Sequence, residues 1–192
     1  MRTLFFNPFQ RYSEKKILLF GIPITVIGSF LGWYFNARFD GVIDLHFVKS
    51  TLPFQAFFDN LIALFCANLV LIGLGKYFNP KTRIIDVVAA TTIARTPIYL
   101  LTVFNVNNSV FNISQRLLVA TQSQKIEAIA IADLVIILFF AMVSMAAIAW
   151  FFIILWSGFK TATNAKGIQK IVVFVIAIII AEIINKVLIY LL

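Results

Sequence analysis

The 192-residue chain holds one cysteine, one histidine and eight acidic residues, and charged side chains make up only 12% of it. Each scarcity removes a class of chemistry. The lone Cys66 excludes an internal disulfide and a multi-cysteine metal site. The lone His46 reads as a solvated loop residue, and no Ser/His or paired-Asp arrangement suits an intramembrane protease. No phosphate-cradling glycine loop, dinucleotide fingerprint or metal-ligand spacing is present, so no cofactor and no enzymatic activity are expected. Ordinary globular domains carry roughly 25% charged residues, which leaves no room here for a soluble domain.

What fills the chain instead is apolar. Hydrophobic residues make up 61% of it, gathered into five stretches, Ile17–Asn36, Pro53–Leu74, Ile84–Phe104, Leu134–Trp156 and Ile168–Tyr190. A bilayer span needs about 20 such residues. The reading is an all-α, polytopic membrane protein, a single domain of five transmembrane helices in a bundle, most simply in a bacterial cytoplasmic membrane. Ile17–Asn36 is too long for a signal-peptide core and lacks a small-residue cleavage site, so it is read as retained.

The net charge of +8 follows the membrane rather than nucleic acid. Arg2, Arg11, Lys15, Lys16, Lys76, Lys81, Arg83, Lys160, Lys166 and Lys170 fall on one side of the spans. The other side holds Arg38, Lys49, Arg116 and Lys125. Basic loops stay cytoplasmic, which puts the N-terminus inside and the C-terminus outside.

Local patterns refine this outline. In residues 1–15, Phe5, Phe6, Phe9 and Tyr12 lie beside Arg2 and Arg11, and Asn7-Pro8 reads as a helix start. This suits a cytoplasmic interfacial segment; Asn7-Pro8-Phe9 also looks like a short trafficking ligand. Gly21, Thr25, Gly28 and Gly32 line one face of the first span, and the Gly28/Gly32 pair lets another helix approach, within the bundle or across a homo-oligomer. Asp40–Thr51 reads as a short outer loop. The connection 105–133 is about twice the usual length and reads as an external loop containing an amphipathic helix. Pro97 is expected to open the third span by freeing the carbonyl of Ile93.

Ionisable groups inside spans cost about 2.5–3.5 kcal/mol on insertion scales and usually face the bundle interior. Here they are Asp59, Asp86, Arg95, Glu182 and Lys186, with Asn60 and Asn68 as neutral companions. By helical rise, Arg95 and Glu182 fall near midspan, Asp59 and Lys186 fall further out, and Asp86 lies near the cytoplasmic boundary. The expectation is a polar centre among spans two, three and five, with Arg95 and Glu182 in contact directly or through one water.

Three segments together resemble the Yip1 domain family in its short bacterial form. They are Phe6-Asn7-Pro8-Phe9, the run Ala89-Ala90-Thr91-Thr92-Ile93-Ala94-Arg95-Thr96-Pro97, and Trp150–Lys160 with Lys166–Ile178. The resemblance covers nearly the whole chain, with Arg95 standing where an acidic residue is expected. It implies a non-catalytic membrane-organising or adaptor module with a membrane-protein partner. The alternative is a small permease or channel moving protons, cations or a small solute through the polar centre.

Reporter fusions at the two ends test the orientation. An indicator active only in the cytoplasm should work at Met1 and fail at Leu192; both ends on one side would contradict the five-span reading.

Overall fold

A computed structural model describes residues 6–123 and 129–191. Lipid offers the backbone no hydrogen bonds, so spanning segments must satisfy their own peptide groups, as helices do. The helices are α1 (Glu14–Tyr34), α2 (Gln55–Phe78), α3 (Ile84–Ala94), α4 (Thr96–Leu101), α5 (Ser109–Gln122), α6 (Ile131–Thr163) and α7 (Ile168–Leu191). Short 3-10 turns cover Pro8–Gln10 and Thr102–Asn108, and two-residue strands β1 (Ala37–Arg38) and β2 (His46–Phe47) pair between α1 and α2. Among the described residues, five helical segments are long and apolar enough to cross a membrane, the third running from Ile84 to Gln122 through its breaks. The chain is an integral membrane protein on that ground.

Side chains sort by size as well as by polarity. The buried face of α1 is Ile17, Gly21, Thr25, Gly28, Ser29 and Gly32, while Leu19, Phe20, Ile22, Val26, Ile27 and Phe30 point outward. Lipid solvates large apolar groups well, so small residues go to helix contacts. The ring of Tyr99 occupies the space a Gly28 side chain would need, and a Cβ at Gly32 would come within 2.5 Å of the Phe39 ring. The glycine face is therefore spent inside the bundle and is not left for a second copy.

The third span breaks at Arg95, whose ψ of −7° separates α3 from α4. Pro97 stands in the first turn of α4 and can donate no hydrogen bond to Ile93. The hydroxyl of Thr96 donates to that carbonyl instead, at 2.7 Å.

Beyond the apolar stretch read from the sequence, α6 extends to 33 residues, about 50 Å by helical rise. Its far end receives the N-terminal segment. Ser157 Oγ donates to Asn7 Oδ1 at 2.6 Å, and a Cβ at Gly158 would strike Phe9 and Ala90, each at 2.6 Å. Asn7 caps no helix with its side chain. The Asn7-Pro8-Phe9 triplet is thus folded against its own chain, and the helix start read at Asn7-Pro8 opens a single 3-10 turn over Pro8–Gln10. The remainder of the interfacial-segment reading, at residues 1–5, lies outside the described residues.

Within 105–133, α5 buries Val110 and Ile113, and Arg116 forms a two-pronged ion pair with Asp133, both contacts at 2.7 Å. An asparagine knot fixes its start. Asn107 and Asn108 take left-handed backbone angles, φ 53° and 57°, a region asparagine tolerates. Asn36 donates to Asn108 Oδ1 at 2.9 Å, and Asn105 donates to the Phe35 carbonyl at 2.8 Å.

Candidate functional site

The loop between α1 and α2 is the unexpected element. Ala37 pairs with Phe47 and Arg38 with His46, and the intervening turn carries Phe39, Gly41 and Val42 into the protein, where they are buried. Non-helical backbone at membrane depth is tolerated only where the protein satisfies its polar groups. Two span charges do so here. Arg95 Nη1 donates to the carbonyls of Gly41 and Val42 at 3.1 and 2.6 Å. Glu182 Oε2 accepts the backbone N–H of Ile43 at 3.0 Å. Gly41 has no room for a side chain, because a Cβ there would overlap Glu182 Oε1.

The direct form of the expected Arg95–Glu182 contact, an ion pair, does not form among the described residues: both groups reach the same turn from different helices, and the turn takes their hydrogen bonds. Equal depth was a sound constraint, but backbone carbonyls compete with a carboxylate for a buried guanidinium. Arg95 is 1% exposed, and its charge also lies 5.8 Å from the ring centres of both Phe39 and Tyr99, within cation–π range.

The remaining charges fasten the hairpin's flanks. Arg38 grips Asp59 of α2 with two contacts at 2.5 and 2.9 Å. Lys186 of α7 reaches Asp44 at 2.5 Å and Glu182 at 3.7 Å. His46 meets Asp40 at 2.9 Å, so it is paired and not merely solvated. Asn60 donates to Ser29 Oγ at 2.9 Å and accepts from the Tyr99 hydroxyl at 3.0 Å, joining α1, α2 and α4.

Two expected members lie elsewhere. Asn68 accepts from Thr91 at 2.9 Å and ties α2 to α3. Asp86 is held by Arg83 at 3.0 and 2.8 Å, and Arg83 also reaches Glu14 at 2.9 Å, at the opposite end of α3 from Arg95. The single polar centre is thus a hairpin clamp built from Asp59, Asn60, Arg95, Glu182 and Lys186, with Asn68 and Asp86 separate. Sequence reasoning missed Arg38, Asp40 and Asp44, counting them as loop charges. The available signal was their alternation with Phe39, Val42, Ile43 and Leu45 around Gly41.

Charge bookkeeping in the clamp is informative. Asp40, Asp44, Asp59 and Glu182 face Arg38, Arg95 and Lys186, one cation short of balance unless His46 is protonated. The Asp40 hydrogen bond holds the His46 pKa above its ordinary value, against the opposing effect of burial. Burial would raise the Asp40 carboxyl, but the hydrogen bond and charge of His46, with Lys186 behind them, together hold it below its usual value.

Scans against protein-family models, curated proteins and solved structures each return no match to this chain. Its function must therefore be read from the clamp itself.

The His46–Asp40 pair makes stability depend on pH. A raised histidine pKa contributes stability that is complete below the unfolded value of about 6.5 and lost as pH rises through the folded value. A lowered aspartate pKa contributes above about 3.9 and is lost as pH falls through its folded value. Thermal unfolding in detergent should show the protein less stable at pH 8.5 than at pH 6. His46→Asn should flatten that difference; an unchanged slope would remove the pair from the clamp.

Proposed function

We propose that this chain is a Yip1-like, non-catalytic membrane-organising or adaptor module, with Met1 cytoplasmic and Leu192 external. One observation carries the reading: the charges within the outer half of the bundle are committed to holding the chain's own hairpin. Arg95 is bound to the Gly41 and Val42 carbonyls, Glu182 to the Ile43 N–H, Asp59 to Arg38 and Lys186 to Asp44. A conduction site works through groups that exchange partners, whereas these are engaged with the hairpin. What the molecule presents outward is apolar, as along α6 at Ile131, Leu138, Met142 and Met145. Such a surface suits lipid and other membrane helices.

A second reading, a small permease, draws on a different observation. Arg95 Nε and Nη2 and both amide atoms of Asn185 are buried without a hydrogen-bond partner among the described residues. Buried polar groups of this kind bind water or a small ion when space allows.

Two measurements on the same preparation separate the readings. Purified from its native membrane in mild detergent, the protein should carry a reproducible membrane-protein partner in near-equal amount. Reconstituted alone, it should pass protons and monovalent cations no faster than empty liposomes. Flux above that background, lost in Glu182→Gln, would replace the adaptor by the transporter.

A further inference from the structure

Beside the break in the third span lies a groove of about 510 Å³, walled by Phe20 and Ile24 of α1, Leu100 of α4 and Ile154 of α6, and closed at one end by Pro8 and Tyr12. Phe20 and Leu100 are 64% and 51% exposed, so the groove opens sideways into the bilayer. We propose that it is a binding site for one phospholipid with an anionic headgroup, drawn from the leaflet on the basic side of the protein. The proposal goes beyond the adaptor reading and stands or falls separately from it.

Shape selects acyl chain over helix. The groove follows α1 from Ile17 to Ile24, only about 10 Å by helical rise. At about 5.4 Å per turn, a docked helix would seat fewer than two turns there. Water finds almost no polar wall there, and an empty void would forfeit dispersion contacts along its lining.

Charge selects the headgroup. Arg11, Lys15 and Lys16 are exposed at the closed end, beside Tyr12 and Ile17 of the lining. The Arg11 guanidinium lies 5.7 Å from the centre of the Tyr12 ring. The neighbouring carboxylate, Glu14, is engaged by Arg83 at 2.9 Å and so leaves these cations to an external anion. Juxtamembrane basic residues favour anionic lipid by about fivefold each.

Trp150 also lines the groove and serves as the reporter. Trp33→Phe with Trp156→Phe leaves it as the one tryptophan, and the protein is reconstituted in phosphatidylcholine vesicles containing phosphatidylglycerol or phosphatidylcholine brominated on the acyl chains. Trp150 emission should be quenched at several-fold lower fractions of brominated phosphatidylglycerol. Replacing Arg11, Lys15 and Lys16 by Gln should abolish that preference while leaving the quenching itself. Ile24→Phe with Ile154→Phe should fill the groove and reduce quenching by both lipids. Equal quenching by the two lipids in the parent protein would overturn the headgroup assignment. Quenching unchanged by groove filling, or absent throughout as when a protein segment covers the groove, would overturn the site. The Gln variants alter exposed positions only, so the headgroup arm holds even if the filled variant misfolds.

Discussion

The structure depends on how two consecutive peptide units, Gly41–Val42 and Val42–Ile43, are kept inside a membrane protein without belonging to a helix. Their two carbonyls take hydrogen bonds from Arg95 and their N–H gives one to Glu182. Without those partners each buried peptide group would cost about 1–3 kcal/mol or more, and a turn of this kind would be expelled to the surface. Conversely, an unpartnered arginine near the middle of a span would be among the least tolerable groups in the chain. The irregular turn and the buried charges each make the other affordable.

Several sequence features follow from that arrangement. Gly41 is small because the Glu182 carboxylate lies against it, and Gly32 is small because the Phe39 ring does. Tyr99 serves twice, packing edge-on against Phe39 at 5.5 Å and donating its hydroxyl to Asn60. The break at Arg95 belongs to the same design: ending α3 there, with the Thr96 hydroxyl covering the freed Ile93 carbonyl, lets the backbone of the third span turn beside the hairpin.

Much of the fold was legible because lipid imposes a simple code. Runs of about twenty apolar residues set the spans, the Gly21–Gly28–Gly32 stripe gave the inner face of α1, and apolar residues among Asn, Ser and Gln gave α5. The ends were harder. The sequence from Ser157 to Thr163 is too polar to read as membrane, yet α6 continues through it because the docked N-terminal turn packs there. The hairpin was hardest. Two-residue strands leave almost no periodic signal, and Arg38 looks like an external loop charge when basic residues are counted for orientation. Depth arguments placed Arg95 and Glu182 at one level but treated them as side chains seeking side chains, with no place for a backbone segment arriving from elsewhere.

Accessibility of Val42 tests this account most directly. With Cys66→Ala as background and Val42→Cys as the reporter, a membrane-impermeant maleimide applied to the outer face reads whether the turn is inserted. The account predicts labelling at least tenfold slower than at Ser50→Cys on the exposed flank, and a rise toward the Ser50 rate when Arg95→Leu removes the clamp. Equal labelling of the two positions in the otherwise unaltered protein would contradict it.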